Sequence, residues 1–286
     1  MPLVMPEILV GSTRWDYSRS YLFGVINVTP DSFSDGGRYL EPSAAVAQGI
    51  QLVKAGADAL DIGGESTRPR SEPVSEAEEL DRVLPVIEAL ADAVDVPLSI
   101  DTYKASVARA AVEAGASIIN DVGGFSLDSG MPAAVAETGA LVIIGHLRGR
   151  PASMQDSIAF ADVVAEVSDE LRASVRLAIQ AGVKADRIWL DPGIGFGKTA
   201  EQSLELIKAT GRIRERVGYP VMIGPSRKSC IGAVTGLPAE ERLAGTAAAS
   251  AVAIALGADA LRLHDIEELA GGMRVADAIV RGWRQA

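Results

Sequence analysis

Leu98-Ser99-Ile100-Asp101-Thr102-Tyr103-Lys104-Ala105-Ser106-Val107-Ala108-Arg109-Ala110-Ala111-Val112-Glu113-Ala114-Gly115-Ala116-Ser117-Ile118-Ile119-Asn120-Asp121 holds one full period of a repeating pattern. A run too short for a helix, Leu98–Ile100, leads into a polar residue. An alanine-rich stretch with helical spacing follows, Lys104–Ala114. Glycine then stands where a left-handed helix cap is needed, and a second apolar run, Ser117–Ile119, leads into Asn120 and Asp121. The reading is strand, helix, cap, strand.

The pattern recurs along the chain. Further apolar runs are Leu22–Ile26, Ala59–Ile62, Leu141–Ile144, Ile188–Leu190, Val221–Ile223 and Ala260–Leu263, which makes eight in all. Each suits a parallel strand buried on both faces. Helical spacing marks Ser43–Ala55, Glu76–Ala91, Ala161–Ala181 and Ala239–Leu256. Cap phrases recur at Ala55-Gly56-Ala57, Thr138-Gly139-Ala140, Ala181-Gly182-Val183 and Leu256-Gly257-Ala258. Eight βα units of even length predict a (β/α)8 barrel in the α/β class, a single domain over residues 1–286. An open doubly wound sheet is the alternative; no Gly-rich nucleotide loop follows the first run, which favours the barrel. Ile8–Val10, Gly11-Ser12 and Trp15–Tyr17 are expected to form a small hairpin closing one end.

The 286 residues are 48% hydrophobic and carry a formal net charge of -11. An acidic chain lacks the basic face that nucleic-acid binding needs. One cysteine, Cys230, excludes an intrachain disulfide and fits a reducing cytoplasm. Neither a signal peptide nor an uninterrupted membrane-spanning run is evident, so no membrane partner is expected.

A barrel gathers its chemistry at the C-terminal strand ends. The residues at or just after the ends of the eight runs are Asn27; Gly63, Gly64 and Glu65; Asp101; Asn120 and Asp121; His146; Asp191; Ser226, Arg227 and Lys228; and Arg262 with His264. One aspartate at a strand end usually caps a turn. Eight polar positions that only a barrel brings together point to one site. Asp101, Asp191 and Asn120 suit a flat heterocycle rich in N–H donors, such as an aminopyrimidine. Lys228, Arg262 and His264, from the last strands, suit a pyrophosphate. Asn27 offers a neutral oxygen for a Mg²⁺ shared with phosphate oxygens. Asp121 reads as structural. Asp191–Thr199 ends like a P-loop, but Pro192 stands where that loop needs glycine. It reads as a turn, with Phe196 free to cover a ligand. One cysteine and two histidines exclude the usual zinc patterns.

The chain resembles the dihydropteroate synthase family along nearly its whole length. The matching segments are, in order, Asn27–Gly37, Asp61–Pro69, Ser99–Thr102, Ile119–Asp121, His146, Asp191–Lys198, Ser226–Lys228 and Arg262–Asp265. The resemblance implies condensation of 6-hydroxymethyl-7,8-dihydropterin pyrophosphate with 4-aminobenzoate, and inhibition by sulfonamides. It implies that Asp101, Asn120, Asp191 and Lys228 hold the pterin. Asn27, Arg262 and His264 would hold pyrophosphate and Mg²⁺. Phe33, Thr67, Arg68 and Pro69 would shape the amine pocket on two mobile loops. Asp35 and Arg68 are expected to pair when those loops close, with Gly36-Gly37 and Gly63-Gly64 supplying freedom. A homodimer through outer helices is the family expectation. Gly145 departs from the family's usual methionine and is expected to open one pocket wall. Arg70 replaces a common glycine, and Cys230 a bulkier residue at a packing position. A pterin-dependent corrinoid methyltransferase is the nearest rival, but it would not need Ser226–Lys228 or Arg262-Leu263-His264. A catalytically silent paralogue that only binds pterin would have eroded these residues.

Overall fold

A computed structural model describes residues 5–29, 42–67 and 71–283. Strands β1 (Ile8–Val10) and β2 (Thr13–Trp15) form an antiparallel hairpin. The barrel strands are β3 (Tyr21–Asn27), β4 (Ala59–Gly63), β5 (Leu98–Asp101), β6 (Ile118–Asp121), β7 (Leu141–Gly145), β8 (Ile188–Asp191), β9 (Met222–Ile223) and β10 (Ala260–Leu263). All eight pair in parallel, in the order β8-β7-β6-β5-β4-β3-β10-β9. A bridge from Leu190 to Val221 brings the two edges together, as a (β/α)8 barrel requires.

Outside the strands lie α1 (Pro42–Lys54), α2 (Glu76–Ala93), α3 (Ala105–Glu113), α4 (Met131–Thr138), α5 (Val163–Ala181), α6 (Ala200–Lys208), α7 (Thr210–Val217), α8 (Ser229–Thr235), α9 (Leu243–Ala255) and α10 (Ile266–Arg281). The five glycines expected to cap helices, Gly56, Gly115, Gly139, Gly182 and Gly257, all have φ between 66° and 120°. The stretch Ala239–Leu256 is not one helix. A single 3-10 turn, Ala239–Glu241, precedes α9, and the guanidinium of Arg242 at the break donates to the carbonyls of Leu237 and Arg227. Among the described residues no helix is long and apolar enough to cross a membrane.

The core has two parts. Between strands and helices, Leu22, Ile26, Leu60, Ile62, Ile100 and Ile119 face outward into helix side chains. Inside the barrel floor, Trp15, Tyr21, Phe23 and Trp189 pack with Ile118, Ile143 and Met222. Trp15 stacks on Tyr21 at 4.4 Å and leans on Trp189 at 5.1 Å. The hairpin therefore seals the N-terminal end with an aromatic plug, as its sequence suggests. Trp189 Nε1 donates to Tyr17 Oη at 3.0 Å, so the buried indole N–H is satisfied.

Candidate active site

The opposite end of the barrel holds a pocket lined by Asp101, Asn120, Val122, Gly145, His146, Asp191, Gly193, Phe196 and Arg262. Register explains the gathering. Gly63 pairs with Asp101 and Asp101 with Asn120, while Gly145 pairs with Asp191. Residues ending adjacent parallel strands are thus brought side by side.

Arg262 is the electrostatic centre. Its Nε donates to Asp61 Oδ2 at 2.5 Å and its second amino nitrogen to Asp101 Oδ2 at 2.7 Å. Burial opposes its charge, but Asp61 and Asp101 outweigh that and raise its pKa. Asp101 Oδ1 is buried without a hydrogen-bond partner among the described residues. Burial pushes the Asp101 carboxyl well above its ordinary value, against the pull of Arg262. Asp191 is raised by the same cause, although Oδ1 accepts from the Gly193 amide at 2.7 Å. Such groups await a ligand's N–H donors, whose arrival would favour the ionised forms.

Lys228 enters the same space from the turn after β9. Its Nζ lies 4.0 Å from the centre of the Phe196 ring. Burial, then the charge of Arg262, lowers its pKa to about 8. The Ser226–Lys228 turn divides its two cations. Arg227 takes a left-handed φ of 57° and pairs outward with Asp265, while Lys228 turns in. Thr246 Oγ1 accepts the Arg227 amide at 3.0 Å, and Arg242 holds the Arg227 carbonyl. These bonds fix a conformation that is costly for a non-glycine residue.

His264 is placed beside this turn by Ser226 Oγ, 3.0 Å from its Nδ1. Burial, with Arg262 and Arg227, lowers its pKa to about 3. Burial and the neighbouring guanidinium groups thus favour the neutral imidazole at this position. Its chemistry toward phosphate is hydrogen bonding. Thr67 is half-buried beyond the end of β4, and half-buried Asn27 ends β3. Phe33, Asp35, Arg68, Pro69 and Arg70 lie outside the described residues.

Gly145 and Gly64 are both required by close packing. A Cβ on Gly145 would meet the Val122 Cα at 2.7 Å and the Asp121 carbonyl at 2.8 Å. The missing side chain does not open the wall, because neighbouring backbone fills the space. A Cβ on Gly64 would meet Val83 at 2.7 Å, and Arg82 donates to the Gly64 carbonyl at 2.7 Å. Gly64 is there so that α2 can pack, which anchors this end of the loop and does not make it a hinge. Glu65 is anchored next to it, bound by Tyr103 at 2.6 Å and by Lys104.

Asp121 is structural as read. Its oxygens accept the Gly123 and Phe125 amides at 2.8 Å each. Cys230 is a buried packing residue. In the P-loop lookalike, Thr199 caps α6 in a capping box with Gln202. Asp61 carries more of the site than its place within a motif implied. A fully buried carboxylate in the strand Ala59-Leu60-Asp61-Ile62-Gly63 is itself a signal, since such a charge needs partners. His146 and Lys198 form a second hidden pair, with His146 Nε2 held by Glu170 at 2.8 Å.

The sequence pattern of the family described as "Pterin binding enzyme" matches residues 23–264. A dihydropteroate synthase from Synechocystis is 44% identical over 281 residues, 98% of this chain and 96% of that protein. The Xanthomonas albilineans dihydropteroate synthase with 4-aminobenzoic acid superimposes with a TM-score of 0.90 at 42% identity, over 96% of this chain and 98% of that one. The Yersinia pestis dihydropteroate synthase with a sulfonamide drug also gives 0.90, at 37% identity and the same coverage. Barrel, pocket and likeness over nearly the whole length agree: this chain belongs to the pterin-binding enzymes and, within them, to the dihydropteroate synthase family.

Proposed function

We propose that the pocket binds 6-hydroxymethyl-7,8-dihydropterin pyrophosphate and joins its methylene carbon to the nitrogen of 4-aminobenzoate, giving 7,8-dihydropteroate and pyrophosphate. The observation that carries this reading is the buried acceptor of Asp101, unpaired among the described residues, beside Asp191 and Asn120 and facing the cations Arg262 and Lys228. An aminopyrimidine edge supplies donors to the first set, and a pyrophosphate supplies charge to the second.

The bond between methylene carbon and phosphate oxygen breaks, and its electron pair leaves with pyrophosphate. Lys228 and Arg262 stabilise that charge, and His264 donates a hydrogen bond to it. Asp101 and Asp191 stabilise the positive charge spread over the ring. The amine lone pair then forms the C–N bond, and the nitrogen loses its extra proton to the departed pyrophosphate or to water. A neutral aryl amine needs no prior deprotonation, so positioning and electrostatics suffice. Thr67, with Phe33, Arg68 and Pro69, would form the amine pocket. Asp35 would pair with Arg68.

Among the described residues no group of three or more His, Cys, Asp or Glu side chains could hold a metal. That donor set does not fit an all-protein cage. Asn27 fits a Mg²⁺ held jointly with phosphate oxygens, and the ion would neutralise charge on the leaving pyrophosphate.

Assembly as a homodimer is part of the same reading. Val275, Ile279 and Trp283 form an exposed apolar stripe along α10 and its end, with Val252 and Leu256 exposed on α9. Ile279→Glu should convert the dimer to a monomer in light scattering. A cytoplasmic location accords with one buried, unpaired cysteine.

The test of function is pyrophosphate release with both substrates and Mg²⁺, with and without 4-aminobenzoate. Amine-dependent release is expected. Tight pterin binding without amine-dependent product would sink the assignment and favour a silent pterin-binding protein.

A further inference from the structure

Behind the pocket wall stands Asp61, fully buried on β4 and bonded to three other strands. Its Oδ1 accepts from Ser99 Oγ at 2.6 Å. Its Oδ2 accepts both from Arg262 Nε at 2.5 Å and from Asn120 Nδ2 at 3.1 Å. A carboxylate paired with arginine can only accept, so the Asn120 atom that faces it must be the amide nitrogen. That settles which way the Asn120 carboxamide points. Its carbonyl oxygen therefore points away from Asp61, and Asn120 lines the pocket.

We infer that Asp61 is a positioning residue that sets ligand specificity by locking Asn120 with its oxygen forward. The inference rests on the pterin reading above. With Asn120 so locked, the heterocycle meets an acceptor from each of three strand ends: Asp101 Oδ1, Asn120 Oδ1 and the free side of Asp191. A ring edge carrying an amino group and a ring N–H satisfies such a wall. The same ring with oxygen in place of the amino group places acceptor against acceptor. An Asn120 free to rotate would offer nitrogen instead and donate to that oxygen. The same Oδ2 also steers the Arg262 guanidinium, so one atom sets both the donor pattern of the wall and the direction of its main cation.

The test compares 6-hydroxymethylpterin with its 2,4-dioxo analogue by calorimetry. Wild-type protein should strongly prefer the 2-amino ring. Asp61→Ala frees Asn120, and the preference should fall by about tenfold or more, the scale of one buried hydrogen bond turned from mismatch to match. Asp61→Asn should keep most of the preference, because its one oxygen can still accept from Arg262 and Asn120 while its amide donates to Ser99. A purely structural role would weaken both ligands alike and leave the ratio unchanged. That outcome, in Asp61→Ala protein with native near-ultraviolet dichroism, would overturn the inference. If wild-type protein binds neither ring, the pterin reading itself fails, which is a separate and distinguishable result.

Should Asp61→Ala not fold, wild-type protein still decides the matter by NMR. The Asn120 side-chain amide, assigned by loss of its signal in Asn120→Ala, should show an Overhauser effect to the Arg262 Nε proton, retained when 6-hydroxymethylpterin binds. Loss of that effect, with a new one to the ligand, would place nitrogen forward and overturn the inference.

Discussion

Lys198 seats its amine on His146. Nζ lies 3.0 Å from the imidazole Nδ1 and 3.2 Å from the His146 carbonyl, and it also donates to the Phe196 carbonyl at 2.8 Å. The loop after β8 is thereby fastened to the end of β7, and Phe196 is held over the pocket beside Lys228. Lys198→Met keeps the length and removes the bonds. Pterin binding should weaken by about tenfold, the worth of a hydrogen bond or two. Calorimetric titration checks this, and unchanged affinity would show that the fastening is dispensable.

The same side chain predicts a slope in stability. Burial lowers its pKa from 10.5 to about 7. Between those values the unfolded chain binds the proton more readily than the folded one. Stability from this group therefore rises as pH increases from about 7 toward 10.5, and the penalty is fully present below 7. Urea titrations across that window should show a shallower rise for Lys198→Met than for wild type.

Catalysis should have an alkaline limit. With its pKa at about 8, Lys228 loses its charge as pH rises through that value, and with it part of the hold on pyrophosphate. On the acid side, Asp101 must ionise from its raised value to receive N–H donors. A bell-shaped profile of kcat/KM for the pterin substrate is expected, falling above pH about 8. A profile flat through pH 10 would contradict the role given to Lys228.

Floor and site should be separable. Tyr17→Phe removes the acceptor for the buried Trp189 indole N–H. The cost should be about 1–3 kcal/mol in urea denaturation, since a buried donor loses its partner. Turnover at 25 °C should be unchanged, because the plug lies at the opposite end of the barrel from the pocket.

Gly145→Ala tests the closed wall. Its methyl group would stand 2.7 Å from the Val122 Cα and 2.8 Å from the Asp121 carbonyl. Main chain must move, so about 1–3 kcal/mol of stability should be lost, together with pterin affinity. A stable, fully binding variant would show that this neighbouring backbone yields easily.

Much of the architecture was legible because parallel strands buried on both faces are written as bare apolar runs, and because left-handed caps are written as glycine. The strand ends were legible for the same reason, as the first polar residue after each run. Pairings between distant residues were not. Asp61 meets Ser99, Asn120 and Arg262 at separations of 38, 59 and 201 residues, and no local pattern records such contacts. Gly64 and Gly145 were visible as glycines, but their reasons lie in α2 and in the backbone after β6. The charge state of His264 was hidden as well, since it depends on burial and on two arginines.

The aromatic floor has a spectroscopic consequence. Trp15 and Trp189 are 1% and 0% exposed within it, while Trp283, the third tryptophan of the chain, is 82% exposed at the end of the apolar stripe. The two populations should emit at different wavelengths, one shielded from water and one in it. Among the three, quenching by iodide should reach only Trp283, and only while the stripe is uncovered. The blue component then reports melting of the floor, and the red component reports whether a second copy has covered the stripe, so one fluorimeter can follow folding and assembly separately in the same sample.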